Sequence, residues 1–163
     1  MLSLFVLIMM GNVSTAGNSG SGPDIVMRVT PRENGAPVPG VSIKVIKDTL
    51  VITDAKTVKP DGWLPSPQTI DIKLKEGTKY SMIITKKGYV KTIINIDTHL
   101  PADVPSDKPF ITEVDIKMLK SEQHPDLDNS DFPLALLQYD KELKKFVPSK
   151  AYAASVRMML QSK

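Results

Sequence analysis

The 163-residue chain is 41% hydrophobic, 24% charged and 6% aromatic, a balance that fits one folded domain with a modest core and excludes a disordered polyelectrolyte. Its 21 Lys and Arg stand against 18 Asp and Glu, a formal charge of +3 with the two signs interspersed, which excludes the concentrated basic stripe of a dedicated nucleic-acid binder. There is no cysteine, so disulfides, thiolate metal sites, a cysteine nucleophile and the thiol of a lipoprotein anchor are excluded too.

Residues Leu2 to Met10 read LSLFVLIMM, an apolar stretch too short for the roughly 20 residues that span a hydrocarbon core. It has the form of the h-region of a secretory signal. Ser14-Thr15-Ala16 then supplies the small residues of a cleavage site before Gly17. No Lys or Arg precedes the stretch, so its positive n-region rests on the α-amino group alone. The reading is a signal peptide over 1–16 and an exported protein, periplasmic or at the cell surface, with no transmembrane span in the mature chain. Residues 17–23, GNSGSGP, are too small and polar to offset the entropy of ordering and read as a linker.

From Asp24 the pattern changes to short β-branched runs separated by Gly, Pro and Asp, the mark of an all-β domain. Ile25, Met27 and Val29 alternate with Val26, Arg28 and Thr30, and Pro31 to Pro39 reads as a long turn. Val41, Ile43 and Val45 form one face of a second strand, and Leu50 to Thr53 is a short third. Asp54 to Pro60 reads as a polar loop leading to the turn Pro60-Asp61-Gly62, where proline fixes φ and glycine tolerates positive φ. Ile70, Ile72 and Leu74 alternate with Asp71, Lys73 and Lys75. Glu76-Gly77-Thr78 is read as the turn of a hairpin whose second strand is Tyr80 to Thr85. Tyr89 to Ile96 and Ile111 to Leu119 complete about seven short strands, the spacing expected for two stacked sheets. The lysines Lys86, Lys87 and Lys91 read as a solvated strand face.

Residues 121–131 are polar and acidic and read as a linker. The extension at 132–163 contains an apolar strand at Leu134 to Tyr139 and a charged turn from Asp140 to Lys145. Ser149 then caps a helix by accepting backbone N–H bonds. Tyr152, Val156, Met159 and Leu160 recur at helical spacing and form one apolar stripe, which must dock on the sandwich or on a partner because so short a helix is marginal alone.

The stretch Gly40-Val41-Ser42-Ile43, the turn Asp61-Gly62-Trp63, the turn Glu76-Gly77, Tyr80 and Lys87-Gly88-Tyr89 resembles the carboxypeptidase regulatory-like domain. The resemblance covers roughly residues 24–120, and Lys-Gly-Tyr is its most specific element. Tyr89 to Thr98 and the tail with Tyr139-Asp140-Lys141 and Phe146 look like exported proteins of the Bacteroidetes group that carry this domain. The resemblance implies a seven-stranded transthyretin-like Greek-key sandwich, here with a C-terminal strand and α-helix extension, and a role in interaction in place of catalysis.

Transthyretin-like folds include a hydrolase branch acting on 5-hydroxyisourate with several His and Arg residues; this chain offers only His99 and His124. Neither histidine has the Glu of a His-x-x-Glu zinc pair, and both read as loop residues. Asp126, Asp128, Asn129 and Asp131 group oxygen donors of the kind Ca²⁺ prefers, but lack the glycine and final Glu of an EF-hand. With no convergent nucleophile, base or metal ligands, no catalytic residue, cofactor or metal is assigned. The expected function is that of a non-catalytic, envelope-associated interaction or scaffolding module with an envelope protein partner. Its contact surface is either the stripe of Tyr152, Val156 and Met159 or an exposed sheet edge. The alternatives are a carbohydrate-binding module in which a glycan stacks on Trp63, the only tryptophan, and a small hydrolase with an unrecognised site.

Overall fold

The computed structural model describes residues 24–57, 68–104, 108–128 and 131–161. The expected signal peptide, the linker at 17–23 and Trp63 lie outside the described residues. The strands are β1 (Asp24–Glu33), β2 (Ala36–Pro37), β3 (Ser42–Lys47), β4 (Leu50–Lys56), β5 (Ile70–Lys75), β6 (Lys79–Thr85), β7 (Thr92–Asp97), β8 (Phe110–Lys117), β9 (Ala135–Asp140) and β10 (Lys145–Pro148). Two helices accompany them, α1 (Pro125–Asp128) and α2 (Lys150–Gln161).

The period-2 alternation builds two facing sheets. Ile25, Met27 and Val29 of β1, Ile72 and Leu74 of β5, and Val114 and Ile116 of β8 point inward from the first sheet and are buried. Ile43 and Val45 of β3, Tyr80, Met82 and Ile84 of β6, and Ile94 and Ile96 of β7 meet them from the second. The result is an all-β sandwich with a C-terminal helix.

In the first sheet β1 is central, antiparallel to β5 and parallel to β8, in a register from Ile25↔Phe110 to Arg32↔Lys117. The parallel pairing sets the first and last strands of the 24–120 stretch side by side. In the second sheet the order is β10-β9-β7-β6-β3-β4, antiparallel throughout except for β7 and β9, where Ile94↔Ala135 to Ile96↔Leu137 run parallel.

The structure corrects several expectations. β5 and β6 are not a hairpin: β5 pairs with β1 and β6 with β3 and β7, so the turn at Gly77 (φ 72°) carries the chain from one sheet to the other. Alternation states which face of a strand is buried, not which strand lies beside it. The supposed long turn after Pro31 is also structured. β1 runs on to Glu33, and Asn34 and Gly35, with φ of 49° and 85°, form a two-residue hairpin to β2 with Glu33↔Ala36 flanking it, the geometry that favours Asn-Gly. β4 extends to Lys56, through residues read as loop, and β7 begins at Thr92, with Tyr89 in an isolated bridge to Lys120. The 121–131 segment contains a 3₁₀ turn at Ser121–Gln123 and the short α1.

The extension holds two strands where one was expected. Lys145–Pro148 folds back on β9 as β10, and Phe146 enters the core. There its ring meets Phe110 and Tyr139 edge to face, each with centroids 5.9 Å apart, and those two rings meet one another the same way at 5.5 Å. Helix α2 follows at once. Ser149 Oγ accepts the Tyr152 N–H at 3.4 Å, and the Ala153 N–H bonds to the Ser149 carbonyl at 3.0 Å, as an N-cap should.

Candidate functional site

A two-layer sandwich whose sheets do not close leaves strand edges, and exposed edges invite pairing with another chain unless the sequence blunts them. Among the described strands, β2, β4, β5, β8 and β10 each pair on one side only, and β2 is just two residues long. β5 reads IDIKLK, with charges at alternate positions, and β8 reads FITEVDIK, with charges at alternate positions from Glu113 on and a single exposed apolar side chain, Ile111, ahead of them. β10 is four residues long and carries Lys145 and Pro148. These are protected edges.

β4 is different. Its first three residues, Leu50, Val51 and Ile52, are 71%, 51% and 42% exposed, with no charge among them. The hairpin from β3 turns at Asp48, whose φ of 54° suits an aspartate better than most residues. The register then shifts: Thr53 lies opposite Val45 and Val51 opposite Ile46, which leaves Ile52 as the extra residue of a bulge. A bulge twists its strand and interrupts the in-out alternation, so three consecutive apolar side chains reach solvent. Charge returns only further on, where Asp54 pairs with Lys44 at 3.6 Å.

The stripe expected on α2 is largely committed to its own fold. Val156 is 7% exposed, and Tyr152, half-buried, donates its hydroxyl to the Pro133 carbonyl at 2.8 Å. Met159 is 46% exposed. The three therefore do not form one open surface; Tyr152 and Val156 anchor the helix against the segment around β9.

The Lys87-Gly88-Tyr89 element ties strands together. Gly88 (φ 82°) allows a tight turn closed by the Tyr89 N–H on the Lys86 carbonyl at 3.1 Å. The Tyr89 hydroxyl donates to Glu33 Oε2 at 2.6 Å, and Lys120 Nζ lies 3.2 Å from Glu33 Oε1. The Tyr89 hydrogen bond and then Lys120 hold the Glu33 carboxyl below its ordinary range, and the same bond to Glu33 pushes the Tyr89 phenol up. Lys86 Nζ sits 5.7 Å from the Tyr89 ring centroid, within cation–π reach.

His99 is exposed, and its Nδ1 lies 2.5 Å from Asp97 Oδ1. Burial pushes the Asp97 carboxyl up, but hydrogen bonds and charge from His99, with Lys79 beyond, outweigh it and leave the group below its usual value. Ser81 Oγ, on the same outer face, is engaged with Asn95 Oδ1 at 3.0 Å. Of the acidic residues near the end of the sandwich, Asp131 pairs with Lys91 at 2.6 Å, which holds its carboxyl low. Among the described residues no three His, Asp or Glu side chains converge as a metal set, and no helix is long and apolar enough to cross a membrane.

No protein-family model matches the sequence, and no curated protein matches it. Solved structures that resemble the fold include 3-chlorocatechol 1,2-dioxygenase of Rhodococcus opacus (TM-score 0.41, 12% identity, 63% of this chain and 62% of that one). Catechol 1,2-dioxygenase of an Acinetobacter species follows (0.38, 11%, 64% and 55%), as does the major pilin subunit BcpA of Bacillus cereus (0.37, 16%, 58% and 28%). The chain thus spans less than two thirds of each of these proteins. Likeness at this level carries neither the oxygenases' chemistry nor the pilin's assembly to this chain.

Proposed function

We propose that the protein is an exported, non-catalytic β-sandwich module that holds an envelope protein partner by strand addition at β4. The observation that carries this reading is the run Leu50-Val51-Ile52, exposed on a strand whose outer edge pairs with no described strand. An added strand takes its affinity from main-chain hydrogen bonds along that edge and its specificity from side chains covering the apolar run. Each such side chain contributes on the order of 1.5–3 kcal/mol when fully removed from water. The polar ends of the run, Asp48 and Thr49 before it and Asp54 after it, set where the partner's apolar segment begins and ends.

The resemblance of residues 24–120 to carboxypeptidase regulatory-like domains supports an interaction role, and the apolar stretch with its small-residue cleavage pattern supports export. A photo-crosslinking residue placed at position 51 in intact cells tests the reading, with the same residue at position 73 on the charged β5 edge as control. A discrete adduct from position 51 alone, lost when Leu50 and Ile52 are replaced by Lys, is expected. Equal labelling from both positions, or none from position 51, overturns the reading.

A further inference from the structure

At the margin of the second sheet opposite β4, a cleft of about 600 Å³ opens between residues 101–104 and 108–110 on one side and the β9–β10 turn on the other, within the usual size of small-ligand sites. Its floor is carbon: the rings of Phe110 and Tyr139, which meet edge to face and are steadied from below by the buried Phe146. Among the described residues its rim is cationic: Lys108, Lys141 and Lys144 line it against one carboxylate, Asp103. None of these three ammonium groups is paired with a carboxylate among the described residues, whereas Lys44, Lys75, Lys91 and Lys120 are.

Two of the three lysines are held in place by a fixed turn. Asp140 Oδ1 accepts the N–H groups of Glu142 and Leu143, each at 2.9 Å, and Lys144 takes a φ of 51°. This brings both Lys141 and Lys144 to the cleft. Two prolines, Pro101 and Pro109, also line it and have no N–H to offer a peptide main chain. The side chains that line it offer ammonium donors, the Asp103 carboxylate and the Tyr139 hydroxyl.

From this geometry we infer that the cleft binds an acidic saccharide, a sugar that carries a carboxylate or sulfate on its ring. The apolar face of such a ring packs on the aromatic floor. Its hydroxyls donate to Asp103, and its anionic groups meet lysines, which act as compact point charges and do not require the planar, two-pronged match that arginine makes. The site is separate from β4, so its ligand does not compete with a strand partner.

Titration calorimetry of the full chain tests the inference with a galacturonate tetrasaccharide, a heparin-derived tetrasaccharide and neutral cellotetraose, and with hexaglutamate as the acidic peptide. Binding of either acidic sugar and not of cellotetraose is expected, with the two acidic arms distinguishing carboxylate from sulfate. Affinity falls about tenfold in the K141E/K144E double variant and falls again in about 0.5 M salt. The K73E/K87E double variant, with the same change in net charge on other faces, keeps the wild-type affinity. Failure of both acidic sugars to bind, equal loss in the two double variants, or hexaglutamate binding as well as the sugars overturns the assignment. None of these results bears on β4.

Discussion

Tyr89 donates its hydroxyl to Glu33 at 2.6 Å across 56 residues of chain, joining the turn before β7 to the end of β1. With Lys120 on the other carboxylate oxygen, the bond gathers three separate stretches at one end of the sandwich. Replacing Tyr89 by Phe keeps the ring and removes the donor, and it lowers the melting temperature relative to wild type. The Lys87→Ala variant does not.

The pH dependence follows from the two shifts. Glu33 is lowered from 4.5, so its contribution is complete above that value and is lost as pH falls through the folded-state pKa. Tyr89 is raised from 10.0, so its contribution is complete below that value and is lost as pH rises through the folded-state pKa. The stability difference between wild type and Y89F is therefore largest on a plateau between these ordinary values and shrinks beyond both ends. Urea titrations across the range measure it.

Thr98, fully buried, is a second clamp. Its hydroxyl lies 2.7 Å from the Lys75 carbonyl and 2.6 Å from that of Thr78, and accepts the Thr78 N–H at 2.9 Å. It fastens the sheet-crossing turn at Gly77 to the end of β7. Thr98→Val is nearly isosteric but strands those groups, at a cost of about 1–3 kcal/mol, read from the urea midpoint at unchanged slope.

Much of this fold is legible in the alternation. Ile25, Met27 and Val29, then Val41, Ile43 and Val45, then Val114, Ile116 and Met118 mark inward faces that the structure buries. Pairing is less legible, because Ile72 and Tyr80 read alike whether their strands lie in one sheet or face each other across the core. The β1–β2 hairpin left a signal in Asn34-Gly35, obscured by the surrounding prolines. β10 left almost none, since Lys145-Phe146-Val147-Pro148 is too short for periodicity to show. As for the candidate site, Leu50 to Ile52 reads as a strand, but its exposure depends on β4 lying at a sheet margin and on the bulge at Ile52. Neither is a property of the local sequence.

Phe146 tests whether the C-terminal hairpin belongs to the sandwich. Its ring is buried in the shared core and touches both Phe110 and Tyr139. Phe146→Ala should cost about 3–5 kcal/mol in a single unfolding transition. Two transitions, with the larger one unaffected, would show that the hairpin folds apart from the rest.

Val156 tests the docking of α2. A carboxylate at this buried position has no partner, and desolvating it costs more than the helix gains from packing. Val156→Asp therefore frees α2: its amides lose protection from hydrogen exchange, while those of β3, β6 and β7 keep theirs.

The central claim, that β4 is where another chain adds, is tested most directly by amide hydrogen exchange on the crosslinked complex purified from cells, compared with the protein alone. The account predicts new protection concentrated between Leu50 and Lys56, with β5, β8, β10 and α2 unchanged. Protection that appears along α2 or another edge, with β4 exchanging as freely as before, would contradict it.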